Sequence, residues 1–313
     1  MTIGNPVTPG DRVMRTSIRG KDETCKYAVN TNGLKKLRIP QIVDLAADLK
    51  LDGIEWGLPA LDSVKSVIGE MARVTRDCGL EVVGYINGGK MWKRDEMTRW
   101  AELVASVQGH SLRVAHPWIA WNYDESLRQG RTYPEIFKLA RDSMPHLMEL
   151  GKTYGIRFVM ELHSGALTAS ALAAANVMQG FDPQYIGVIY DPANTIIEGN
   201  MRPRSEVEVL GDYLAYVHAK NVICAFTGQF TERPVPRAKW EFKTCRLPYG
   251  IVDWLEVFYA LALGSYRGWI SCEEFFKPDE SCAEELKDGI AFLKACEKHA
   301  PRAPQAPFTA FND

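Results

Sequence analysis

IRFVMELH (156–163), YIGVIYD (185–191), YLAYVHAK (213–220) and GWISCEEF (268–275) share one construction. Each is a run of apolar and aromatic residues closed by charged side chains at its C-terminal end. A near-continuous apolar run suits a strand buried on both faces of a parallel sheet. Outward from these, similar runs stand at CKYAVN (25–30), DGIEWG (52–57), LEVVGYIN (80–87) and HSLRVAH (110–116). Amphipathic stretches separate them. IPQIVDLAADLK places Ile39, Ile42, Val43, Leu45, Ala46 and Leu49 close to a 3.6-residue period. The others are SVKSVIGEMARVTRDCG, KRDEMTRWAELVASVQG, YPEIFKLARDSMPHLMELGKTYG, TASALAAANVM, VDWLEVFYALALG and SCAEELKDGIAFLKACEKH. Gly79, Gly109, Gly155 and Gly264 stand where helices should end, and Pro40 where the first should begin. Strand and helix alternate about eight times along the chain, which predicts an α/β fold and a single (β/α)8 barrel. That one domain is expected to span 1–313, with its core at about 25–298, a loose N-terminal arm and a Pro-rich tail. No Gly-rich phosphate fingerprint follows the first strand, which disfavours an open doubly wound sheet.

Composition narrows the function classes. The 313 residues carry 37 Lys and Arg against 39 Asp and Glu, a net charge of −2, and 46% are hydrophobic. A disordered chain would be poorer in apolar residues and more highly charged, and a general nucleic-acid binder would be basic. No run approaches the roughly 18 apolar residues that cross a bilayer, and the first residues lack an apolar signal core. The expectation is a cytoplasmic protein with neither a membrane nor a nucleic acid as partner. Seven cysteines, with no CxxC pair among them, predict reduced and mostly buried thiols.

The charged residues in the apolar runs are Glu161 and His163, Asp191, His218 and Lys220, and Glu273 and Glu274. In a barrel these strand ends converge on one face. Carboxylates buried together require a cation. Carboxylates plus one imidazole suit Mn2+, Mg2+, Co2+ or Zn2+. Glu161, Asp191, His218 and Glu273 are therefore expected to hold a divalent ion, although side-chain alternation leaves Glu273 and Glu274 as alternatives. His163 is either a structural histidine or a catalytic one. Lys220 shares the facing of His218 and reads as an oxyanion contact. Glu55 is a substrate contact or a partner for a cation at the barrel floor. His116 and Trp118 line the pocket or begin a loop. Trp56, Trp92, Trp121 and Tyr85 offer either a flat wall for a ring or ordinary core packing. Residues 221–250 read as a long loop on the same face, and long loops tend to be functional. Its cations are Arg233, Arg237, Lys239, Lys243 and Arg246, and Arg246 is the best candidate for a substrate oxygen.

The set ELH, YDPAN, YVHAKN and GWISCEEF resembles the xylose-isomerase-like superfamily, a TIM barrel group of sugar isomerases and epimerases. The group includes ketose 3-epimerases, hydroxypyruvate isomerases, inosose dehydratases and abasic-site endonucleases. The resemblance covers roughly 25–298 and is strongest from 156 to 276. It implies metal ligands at Glu161, Asp191, His218 and Glu273, which selects Glu273 over Glu274. The family's E-x-H matches Glu161–His163, and its H-x-K matches His218–Lys220. The family's usual histidine three residues after the Asp is Asn194 here, so Asn194 stands in the place of a substrate contact. The implied activity is a divalent-metal-dependent isomerase or epimerase of carbohydrate metabolism, with manganese the foremost metal. It would act on a keto-sugar by proton abstraction next to a metal-chelated carbonyl, through an enediolate. Glu161 and Glu273 would be the acid/base pair, His163 would act on a hydroxyl, and Glu55, His116, Asn194, Lys220 and Arg246 would meet the substrate. The alternative is a lyase on a keto-sugar, such as an inosose-type dehydratase or a C-glycoside deglycosidase catalytic subunit. Expected partners are the carbohydrate substrate, further copies of the chain in a homo-oligomer and a smaller hetero-subunit. An endonuclease would need more ligands and a basic groove than six histidines and a charge of −2 supply. A non-catalytic relative would lack a ligand, and all the positions are filled.

Overall fold

A closed ring of parallel strands organises this computed structural model, which describes residues 24–120, 125–199, 201–232, 234–275 and 282–300. The strands are β1 (Lys26–Asn30), β2 (Gly53–Gly57), β3 (Glu81–Lys90), β4 (Ser111–Ala115), β5 (Arg157–Glu161), β6 (Ile186–Tyr190), β7 (Leu214–Ala219), β8 (Asn221–Thr231), β9 (Arg237–Cys245) and β10 (Trp269–Cys272). Strands β1 to β7 follow one another around the ring, and β10 closes it between β7 and β1. Each of the eight predicted strand segments holds one barrel strand, so the architecture is the expected (β/α)8 barrel. The helices are α1 (Ile39–Asp48), α2 (Leu61–Val64), α3 (Ile68–Asp77), α4 (Arg94–Ser106), α5 (Tyr133–Tyr154), α6 (Ala171–Met178), α7 (Pro192–Ile197), α8 (Pro203–Leu210), α9 (Trp254–Leu263) and α10 (Cys282–His299). The expected N-terminal arm and C-terminal tail, with Trp121 and Arg233, lie outside the described residues.

The sequence patterns needed three corrections. First, α7 and α8 were not among the expected helices. Both start at a proline, Pro192 and Pro203, whose fixed φ suits a first turn. Second, the predicted loop 221–250 is mostly an antiparallel hairpin: β8 pairs with β9 from Asn221–Cys245 out to Thr231–Arg237. Third, Gly79 and Gly155 do end helices in the left-handed region, at φ +76° and +69°, but Gln108 and Ser265 take that role beside Gly109 and Gly264. Gly109 is needed for packing instead, since a Cβ there would lie 2.6 Å from Val104 and 2.7 Å from the Tyr85 ring. All seven cysteines are free, as expected, but only Cys25, Cys272 and Cys296 are buried.

Alternation along the strands sorts the side chains into two populations. Toward the helices lies the main core, which takes in Trp56, Tyr85, Phe158 and Tyr190. Trp56 bonds through Nε1 to Thr75 Oγ1 on α3, 3.0 Å away. Trp56 and Tyr85 therefore pack the core rather than form a wall for a ligand. Inside the barrel, Ala28, Val83, Val159, Ile189 and Tyr216 make an apolar plug. On four of these strands the inward residue two positions further along is polar: Asn30, Glu161, Asp191 and His218. The barrel is thus filled with hydrocarbon below and charge at its mouth. No helix among the described residues is long and apolar enough to cross a membrane.

One buried carboxyl lies apart from that mouth. Glu206 on α8 accepts a hydrogen bond of 2.6 Å from the Tyr190 hydroxyl. Burial pushes its pKa up to about 7. An unfolded glutamate titrates near 4.3, so the neutral form is preferred in the fold. The native state loses stability as pH rises from there to about 7, and the loss is complete above it. Glu206→Gln should therefore gain about 1–3 kcal/mol relative to the wild type on going from pH 5 to pH 8. Urea unfolding at the two pH values measures this, and an equal difference at both would remove the assignment.

Candidate active site

Glu161 ends β5, Asp191 follows β6, His218 lies in β7 and Glu273 follows β10. All four are buried, and one ligand atom from each lies within 4.8 Å of all the others. Backbone geometry holds them there. The Glu273 amide bonds to Ala219 O at 2.9 Å, continuing the β7–β10 ladder past the strand end. Asp191 caps α7, accepting from Asn194 N at 3.0 Å through Oδ1. His218 Nδ1 faces Glu161 Oε1 at 3.0 Å and Glu273 Oε2 at 3.4 Å. Its Nε2 lies 3.0 Å from both oxygens of Glu55. With the Nε2 proton donated to Glu55, the Nδ1 lone pair points into the cluster, the tautomer a metal ligand requires.

The donor set fits a divalent ion. Glu55, Glu161, Asp191 and Glu273 bring four negative charges into one buried volume, and Arg113 and Lys220 bring two positive ones. Burial lowers the His218 imidazole, but Glu55, Glu273 and Glu161 outweigh it and hold it well above its usual range. With His218 deprotonated and Asp191 ionised, as metal ligands must be, the balance is −2, the charge such an ion cancels. Three carboxylates and an imidazole also match the oxygen and nitrogen preference of that class of metal.

Glu273 joins the cluster and Glu274 does not. Inside the barrel, Ser271 bonds through Oγ to Glu55 Oε2 at 2.6 Å, so Glu273, two residues on, faces inward as well. Glu274 faces the helices, accepts from Leu247 N at 3.1 Å, and has its pKa raised by burial to about 7.

The other expected residues take varied places. Lys220 bridges Asp191 Oδ2 at 2.8 Å and Glu273 Oε2 at 3.0 Å. Asn194 donates from Nδ2 to Asp191 Oδ2 at 2.8 Å and to Leu162 O at 3.1 Å. Glu55 is fully buried, and its oxygens also receive Tyr216 OH at 2.6 Å and Asn30 Nδ2 at 2.9 Å. Of its two readings, that is the place of a floor partner behind His218. His163 stands edge-on to Trp118 with ring centres 5.0 Å apart, and its Nδ1 lies 2.9 Å from Ser164 O. His116 stacks on the other side of the same indole at 6.1 Å. Arg246 pairs with Glu285 on α10 at 2.6 Å.

Arg113 was not foreseen. Its Nη2 lies 2.5 Å from Glu161 Oε2, deep in the barrel. A cation in the middle of the buried run SLRVA is a legible signal, since an arginine inside a barrel strand needs an anion to face. Asn30, Tyr216 and Ser271 carried no such signal, because each is ordinary in a strand.

The charges shift the titrations strongly. Burial raises the Glu161 carboxyl, but Arg113, His218 and Lys220 outweigh it and hold it well below the usual range. Burial also raises Glu273, and Lys220 and His218 bring it down to about 2. Asp191 is raised to about 7, by burial and by the Glu161 and Glu273 charges, against the pull of Lys220. Burial lowers His163, which keeps its imidazole neutral near pH 7, and it lowers His116 to about 3.

Comparison with known proteins agrees with this fold. An inosose dehydratase from Bacillus licheniformis is 24% identical over 170 residues, 52% of this chain and 54% of that protein, so the chain spans about half the length of this curated relative. A 3-keto-D-glucoside 4-epimerase from E. coli superposes with a TM-score of 0.68 at 17% identity, over 87% of this chain and all of that one. A D-psicose 3-epimerase from Clostridium cellulolyticum H10, solved with D-tagatose, gives 0.66 at 14% over 87% and 99%. A probable 3-DHS dehydratase from Bacillus anthracis gives 0.66 at 15% over 86% and 98%. The structural likenesses carry the fold. A family model matches residues 43–296, and the chain belongs to the xylose isomerase-like TIM barrel family.

Proposed function

We propose that the protein is a divalent-metal-dependent isomerase or epimerase of a keto-sugar. The supporting observation is the buried set Glu161, Asp191, His218 and Glu273, four donors within 4.8 Å at the mouth of the barrel. These residues would hold the ion, with Mn2+ the first choice for a site dominated by carboxylates. When bound, such an ion polarises a carbonyl as a Lewis acid and so acidifies the neighbouring C–H. Glu161 and Glu273 then move the proton, one taking it from carbon and the other returning it. Arg113 and Asn194 fix the oxygens of Glu161 and Asp191, so the carboxylates need little reorganisation. Glu55 holds the His218 ring in register from behind. Neutral His163 would act on a substrate hydroxyl, and His116 and Lys220 would meet its oxygens. Arg246, which pairs with Glu285 through one guanidinium nitrogen and is half-exposed, would meet a substrate oxygen.

The sequence match to an inosose dehydratase supports a second reading, in which the same proton abstraction is followed by loss of a β-substituent. The two readings share the first step and differ in whether a substituent leaves.

Elemental analysis of the purified protein should find about one divalent ion per chain. Glu55→Gln should weaken metal binding by about 10–100-fold, the usual effect of removing an outer partner of a metal-bound histidine. Unchanged affinity would show that Glu55 does not hold His218 for the metal. In deuterated water, NMR of candidate keto-sugars should show exchange at the carbon beside the carbonyl. Glu161→Gln should slow that exchange at least ~100-fold while the protein keeps its fold. Turnover without any exchange would overturn proton abstraction at that carbon, and release of a dehydrated product would favour the lyase.

A further inference from the structure

The hairpin of β8 and β9 wears its apolar face outward. Register pairs Phe226 with Trp240 and Cys224 with Phe242, so these side chains share one side of the ribbon. Phe226 also meets Phe230 at a ring separation of 5.6 Å and Trp240 at 5.7 Å. The four aromatic rings are between 42% and 64% exposed. On the other side of the ribbon Ile223, Ala225, Thr227 and Glu241 are half-buried, while Lys239 and Lys243 are exposed. An antiparallel ribbon with one wet face ordinarily turns its polar residues to water, and here one side presents aromatic rings instead. Ile251 N bonds to Val222 O at 2.9 Å, so Ile251 and Tyr249, 49% and 72% exposed, continue the apolar surface at the hairpin's base.

We infer that this face is the docking surface for a second copy of the chain, the two hairpins packing against each other about a two-fold axis. The area supports it. Five aromatic side chains that each present 150–250 Å², about half exposed, with Ile251, leave roughly 600 Å² of apolar surface. That lies at the upper end of what a typical monomer shows in its largest patch and approaches the roughly 800 Å² per partner of a stable interface. The charges on the ribbon favour self-association over a partner of opposite charge. Register places Glu241, Lys243 and Lys239 on the opposite side of the ribbon, so two copies that meet through the aromatic face bring no like charges against each other. A two-fold contact also uses the same patch twice and closes, leaving no open edge for a third copy. The hairpin begins at Asn221, directly after Lys220 of the carboxylate cluster, so the second copy would sit on the rim of the candidate active site.

Light scattering on the full-length protein after gel filtration tests this. Two chains per particle are expected at micromolar concentration. The double variant Phe226→Ser, Trp240→Glu should yield a single chain with an unchanged circular dichroism spectrum. Leu172→Glu, which alters an exposed apolar residue on α6, should leave two. Hydrogen exchange of the wild type on dilution gives a second reading that needs no variant: protection of β8 and β9 should be lost as the particle dissociates. A wild type that runs as a single chain overturns the inference, whether or not another protein binds there. A double variant that keeps two chains, or exchange in the hairpin that ignores concentration, does so as well.

Discussion

Among the described residues, four carboxylates share the mouth of one barrel with two fixed cations, Arg113 and Lys220, and much of the inner architecture answers to that mismatch. An isolated buried carboxylate costs several kcal/mol even after relaxation. Here none is isolated. Glu161 faces Arg113 and His218, Asp191 faces Lys220 and Asn194, and Glu273 faces Lys220. Glu55 collects Tyr216, Ser271, Asn30 and His218. With His218 neutral the cluster carries −2, a charge that a divalent ion could cancel.

The same inventory explains the division of labour inside the barrel. Ala28, Val83, Val159, Ile189 and Tyr216 exclude water from below, which lowers the local dielectric and strengthens every charge above them. The hydroxyl of Tyr216 joins the two layers, since its ring belongs to the plug and its oxygen bonds to Glu55. A side chain with an apolar body and a polar tip suits that boundary.

Much of this was legible before any coordinates. Apolar runs located each of the eight barrel strands, and the four later ones end in charge, because a strand covered on both faces tolerates polar residues only where it leaves the sheet. The choice between Glu273 and Glu274 was not legible from alternation, which fixes relative facing and not absolute facing. It took the contact of Ser271 with Glu55, 216 residues apart in the chain, to say which side is the interior. The hairpin was read as a loop because β9 alternates lysine, arginine and glutamate with its aromatics, and a strand with no core to face lacks the usual apolar signal. Helix α8 escaped because its short span PRSEVEVL shows only two turns of pattern.

The sequence by itself determined the number of barrel strands and put Glu161, Asp191 and His218 at their ends, because residue type and strand-end position are local properties. Tertiary structure alone decided that Arg113 faces Glu161, that Glu55 stands behind His218, and that the aromatic side of the hairpin faces outward. Each of these depends on which strands become neighbours when the sheet closes, and closure brings together residues tens to hundreds of positions apart.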